Sequence, residues 1–112
     1  MDTWDISSID VEAHKPKVLK TDPEARLIAI NLPGGEALGD HQVHERAYLV
    51  VADGEIEVEQ DGETQGGGPG FLVHWEANTR HSVRAKSDAR LLLILAPWTG
   101  EGHSRDRAGG GS

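Results

Sequence analysis

Short apolar runs separated by turn dipeptides, with helical periodicity nowhere sustained, limit this chain to an all-β fold more firmly than any other feature. Residues 25–32 are rich in Leu and Ile and are closed by Pro33-Gly34-Gly35. A second run over residues 47–52 continues through Asp53-Gly54 into Glu55-Ile56-Glu57-Val58-Glu59, where Ile56 and Val58 fall on one face and three glutamates on the other. Such alternation lines a core with one face of a strand while the other face stays wet. Further strands are expected over 71–75, 81–86 and 90–96, with turns at Asp61-Gly62 and Ser87-Asp88. Gly66-Gly67-Gly68-Pro69-Gly70 reads as a loop, because proline has no backbone donor and glycine packs nothing. The pattern implies a jelly-roll β-barrel of about eight or nine strands, an architecture that closes or covers its edges.

A chain of 112 residues supports one such core and not two. The barrel is expected over 17–99, preceded by a segment at 1–16 and followed by a polar, glycine-rich tail at 100–112. Cysteine is absent, so a transition metal would have to be held by imidazole and carboxylate, and no thiol nucleophile exists. A formal charge of −8 repels phosphate backbones and anionic lipid, which argues against nucleic acid and membranes as partners. Met1 to Asp5 shows no leader-like pattern, and the longest apolar run, Leu91 to Pro97, is too short to span a bilayer, so a cytoplasmic location is expected. The triple glycine is no phosphate loop, since neither a helix nor a Lys-Ser or Lys-Thr pair follows it. No serine sits in a nucleophile elbow, and Glu55, Glu57 and Glu59 share one solvated face, which disfavours covalent and two-carboxylate hydrolysis.

Gly70 to His81 resembles the cupin pattern G-D-x4-P-x-G-x2-H, with the first glycine and the last histidine at the expected separation. The other cupin pattern, G-x5-H-x-H-x3-E-x6-G, closes at Gly54, which puts His41 at its first histidine, Val43 at its second and Ala47 at its glutamate. From about Leu32 to Pro97 the chain is thus similar to single-domain small cupins. The resemblance implies a two-sheet barrel with an interior ligand pocket, frequently dimeric, and activities ranging from dioxygenases and isomerases to simple binding proteins. It implies a divalent transition metal (Fe, Mn, Ni or Zn) only as far as the ligands are present, and of the four ligand positions only His41 and His81 keep a metal-binding side chain. Glu76 and Asn78 replace the proline and glycine of the second pattern; Asn tolerates left-handed backbone better than other non-glycine residues.

Residues two apart on a strand point to one face, so an H-x-H pair converges on a barrel interior, and Val43 breaks that convergence. A one-residue bulge would turn His44 inward to join His41 and His81, whereas regular alternation leaves Glu45 on the face of His41. His81 shares strand parity with Val83 and Ala85 and is expected inward, while His74, if inward, adds a second imidazole; His14 and His103 are expected in solvent. The expected pocket is lined by His41, Val43, Ala47, His74 and His81, and His41, His44, Glu45 and His81 are the metal candidates. The leading expectation is a barrel that binds a small organic molecule with its metal site weakened or lost. Two enzymatic alternatives stand beside it: a metal-dependent dioxygenase or isomerase using His41, His81 and one of His44, Glu45 or His74, and a metal-free acid/base isomerase or epimerase with His41, His81 and Tyr48 as candidate groups. Leu91-Leu92-Leu93-Ile94-Leu95 lacks alternation, so both its faces should be covered, and a homodimer is expected, with Trp98 at the covered face or the interface.

Overall fold

The computed structural model describes residues 1–41 and 44–97, with residues 39–41 described as backbone. Val43, Trp98, His103 and the side chain of His41 therefore lie outside the described residues.

The described chain is all-β, a jelly roll of two antiparallel sheets. The strands are β1 (Lys17–Thr21), β2 (Arg26–Leu32), β3 (Ala37–His41), β4 (Arg46–Asp53), β5 (Ile56–Gln60), β6 (Glu63–Gly67), β7 (Leu72–Trp75), β8 (His81–Ala85) and β9 (Ala89–Ala96). One sheet runs β1-β2-β9-β4-β7 and the other β3-β8-β5-β6. No described helix is long and apolar enough to cross a membrane.

The unalternating run in β9 is explained by its central place between β2 and β4. Leu91, Leu93 and Leu95 face the other sheet, while Leu92 and Ile94 lie on the outer face. The facing rows of both sheets make one core, in which Leu49, Val51, Ile56, Val83 and Leu91 are almost wholly hidden. β5 alternates as its sequence requires, with Ile56 and Val58 buried and Glu59 exposed.

The N-terminal segment crosses the outer face of the five-stranded sheet. Arg90 donates to the carbonyls of Ile9 (2.7 Å) and Ile6 (3.3 Å), and Asn31 Nδ2 donates to the carbonyl of Val11 (3.0 Å). Val11 is buried, and so is Ala29 on the outer face of β2.

Two places depart from the sequence reading or depend on it closely. Gly66 and Gly67 do not form a loop; they complete β6, opposite Glu57 and Ile56. β6 is an edge strand, where a missing side chain costs little, and a Cβ at Gly67 would stand 2.6 Å from the Phe71 ring, so glycine admits that ring against the backbone. Asn78 has φ 64°, the left-handed conformation that its place in the cupin-like pattern requires.

Candidate ligand cavity

Between the sheets lies a cavity of about 150 Å³. Its origin is a single small side chain. Across the five-stranded sheet, Ala47 stands between Leu95 on one side and Trp75 on the other, and the short methyl leaves space that its neighbours do not fill. Ile28, Leu49 and Leu93 form the next row of the wall, Leu38 and Val83 face them from the other sheet, and Pro16 contributes from the N-terminal segment. His81 is the single polar side chain among the described residues that line it.

His81 is 6% exposed and opens β8, in parity with Val83 and Ala85. Its imidazole stacks on the Trp75 indole, with centroids 3.7 Å apart and planes 5° from parallel. The Nδ1 atom lies 3.1 Å from the Thr79 carbonyl. A carbonyl only accepts, so Nδ1 carries the proton in this contact. Ring stacking on one side and a hydrogen bond on the edge leave the imidazole one orientation, as a recognition group requires. Nothing in the sequence singled out Trp75 as part of this site; the signal available was its parity with Val73 and its place opposite the small Ala47.

The other predicted residues divide between the two faces. Ala47 lines the cavity, and the backbone of His41 pairs directly with that of His81. Tyr48 and His74 do not reach the cavity. The pleat that turns Ala47, Leu49 and Trp75 inward sends Tyr48 and His74 to the outer face, where their rings meet at 4.8 Å. His74 also approaches Glu76 (Nε2 to Oε2, 3.8 Å), and Arg46 Nε stands 3.9 Å from Glu76 Oε1. His44 is exposed at the bend before β4, whereas Glu45 beside it is 6% exposed. Glu45 is buried but is not among the described residues that line the cavity.

The described donors alone do not complete a metal shell, and the side chain of His41, the other retained ligand position, lies outside the described residues. A divalent transition metal needs three or four protein ligands in one shell, and among the described residues no three His, Asp or Glu side chains come together. Of the described candidates only His81 and Glu45 are buried; His44 is exposed, and His74 belongs to the opposite face of the sheet.

Comparison with known proteins bears on the fold. The cupin domain family profile matches residues 28–96. A RmlC-like cupin from Desulfovibrio desulfuricans superposes with a TM-score of 0.76 at 19% identity, over 87% of this chain and 97% of that one. KdgF from Halomonas sp. gives 0.69 at 24% identity, covering 80% and 86%. A RmlC-like cupin from Methanocaldococcus jannaschii, described as a double-stranded β-helix, gives 0.71 at 19%, covering 80% and 85%. At these identities the likeness is one of fold. No curated protein matches the chain in sequence.

Proposed function

The chain belongs to the cupin family, and from that premise we propose that it binds a small, largely apolar organic molecule inside the barrel, with His81 as its polar contact. The observation that carries this reading is the cavity itself, walled by apolar side chains and given one oriented imidazole. An apolar cavity of about 150 Å³ admits a molecule the size of benzene. Burying one aromatic ring removes about 150–250 Å² from water, which at about 25 cal/mol/Å² is about 4–6 kcal/mol. The corresponding Kd is about 1 mM to 40 μM before the cost of association, with a hydrogen bond to His81 adding about 1 kcal/mol.

The test titrates phenol and benzene into metal-free protein while following the methyl signals of Leu49, Leu93 and Leu95. The expected result is saturable shifts for both, with phenol about fivefold tighter and that margin lost in His81→Gln. Absence of saturation would remove the ligand reading. Near-stoichiometric metal in the protein as purified would replace it with a metal-dependent one.

Two further readings of the chain belong with this proposal. The rows Leu27-Ile94-Tyr48-His74 and Ala29-Leu92-Val50-Leu72 on the outer sheet face contain no carboxylate, although the chain carries −8 overall. The N-terminal segment covers Ala29, whereas Leu72 remains 59% exposed. Glu76 borders this face beside His74, and Glu59 and Glu63 lie across the groove from Leu72, but the rows themselves are largely apolar, and a homodimer through them is the partner we propose. A cytoplasmic location, expected from the sequence, is kept as part of this proposal.

A further inference from the structure

We infer that the molecule taken up by the barrel is an aromatic primary amine, with its ring in the apolar cavity and its ammonium group held by Glu36 at the cavity mouth. The inference rests on the reading of the cavity as a ligand site and adds the ligand's charge to it. Among the described wall residues Pro16 is the exposed one, so the cavity meets solvent beside it. There it adjoins a second space of about 250 Å³, with which it shares Pro16, Ile30 and Leu38. The two spaces differ in kind. The described wall of the inner one is apolar apart from His81, whereas His14, Lys15, Asn31 and Glu36 line the outer one. A molecule that fills the first with a ring presents its far end to the second.

Strand register sets the span between the two polar ends. On β8, His81, Val83 and Ala85 all face inward. Leu38 pairs with Val83 and Ala37 with Arg84, which brings Glu36 level with Ala85, whose N–H donates to the Glu36 carbonyl (2.8 Å). Four residues of strand therefore separate the level of Glu36 from that of His81, about 13 Å between Cα atoms. Val83 and Leu38 lie between them in the cavity wall, as a bed for the ring. End groups on opposite sides of a ring match such a row, with a hydroxyl toward His81 and a short aminoalkyl arm toward Glu36.

Charge selects the ammonium group. The partner of the Glu36 carboxylate is an imidazole, His14 Nε2 at 3.1 Å, which offsets the negative charge only while protonated. Both side chains are exposed, so the contact is weak enough for a ligand's ammonium to displace the imidazole. Lys15, the permanent cation of the outer space, stands 3.8 Å from Glu12 Oε1 of its own segment, and its charge is matched there. The chain as a whole carries −8, which draws cations toward the mouth and disfavours carboxylates.

The test compares three compounds with one ring and one arm length: tyramine, which ends in an ammonium, tyrosol, which ends in a hydroxyl, and para-hydroxyphenylpropionate, which ends in a carboxylate. Each is titrated while the methyl signals used for phenol are followed. Tyramine should bind about two- to fivefold tighter than tyrosol, the range that an exposed ion pair allows, and the carboxylate should bind weakest. Glu36→Gln should erase the margin of tyramine over tyrosol, whereas His14→Ala should widen it by freeing the carboxylate. Glu76→Gln removes the same formal charge beside Arg46 and His74, and the margin should survive it. Equal binding of tyramine and tyrosol, a margin that persists in Glu36→Gln, an equal loss in Glu76→Gln, or a preference for the carboxylate would overturn the assignment. Phenol binding without a tyramine margin would sink the amine alone; no saturable binding of phenol or of tyramine would sink the ligand reading and the amine with it.

Discussion

Ala47→Val makes the strongest demand on this account, because it should increase stability and decrease binding at once. Ala47 is 1% exposed on a central strand, flanked by Leu95 and Trp75, and the cavity of about 150 Å³ lies against its methyl group. Valine adds two carbons. At about 0.8 kcal/mol per buried carbon, filling empty space there gains at most about 1.6 kcal/mol, and β-branching suits a strand. For a domain of this size, each kcal/mol raises Tm by about 4–8 °C, so the shift should approach 6–13 °C. The same two carbons occupy space a ligand needs, and phenol affinity should fall by tenfold or more. The assay is calorimetric melting paired with phenol titration. Overpacking a filled core costs about 1–3 kcal/mol, so a lowered Tm would show that no usable space adjoins Ala47. A raised Tm with unchanged phenol affinity would place the ligand elsewhere.

His81→Ala should destabilise by about 1–3 kcal/mol and shift the Trp75 emission in a Trp4→Phe/Trp98→Phe background, because it removes a stacked partner and exposes the indole face. An unchanged emission spectrum would contradict the stacking. Gly67→Ala should lower the urea midpoint by the equivalent of about 1–3 kcal/mol through collision with Phe71, and a neutral effect would mean that this ring does not lie on the β6 backbone. Leu72→Glu should turn a sedimenting dimer into a monomer without altering Tm of the isolated barrel; a dimer that survives it uses another face.

What was legible in the sequence follows from how each residue's environment is written in its neighbours. β5 could be read because Ile56 and Val58 alternate with glutamates, and His81 because Val83 and Ala85 share its parity. β7 could not. Phe71, Leu72, Val73 and Trp75 are all apolar, so nothing in the run says which parity faces the core, and His74 could be placed on either side. Pairing settles it: Trp75 opposes Ala47, and His74 opposes Tyr48 on the outer face. The glycines of β6 concealed a strand because the signal for one is side-chain packing, and here the packing comes from Phe71 reaching across to the glycine backbone. Glu45 shares parity with the buried Ala47, Leu49 and Val51, so regular alternation, one of the two arrangements the sequence allowed, is in keeping with its burial.

The face to which each described residue is sent also bears on the chemistries that the sequence left open, although the side chain of His41, a candidate in each of them, lies outside the described residues. Isomerisation or epimerisation without a metal needs a base and an acid on the same substrate, within hydrogen-bond reach of the proton that moves. Tyr48 and His74 are adjacent to each other, but the sheet stands between them and His81. Among the described residues, His81 is the one titratable side chain in the cavity wall. Its Nδ1 is committed to the Thr79 carbonyl. In the proposed ligand reading, an oriented imidazole among apolar side chains would favour a hydroxyl or acid over a hydrocarbon of the same size. It offers no described second group to return a proton from another direction. For the proposed ligand reading the quantity to measure is the phenol-to-benzene affinity ratio, which should collapse toward unity in His81→Gln while Ala47→Val lowers both affinities together.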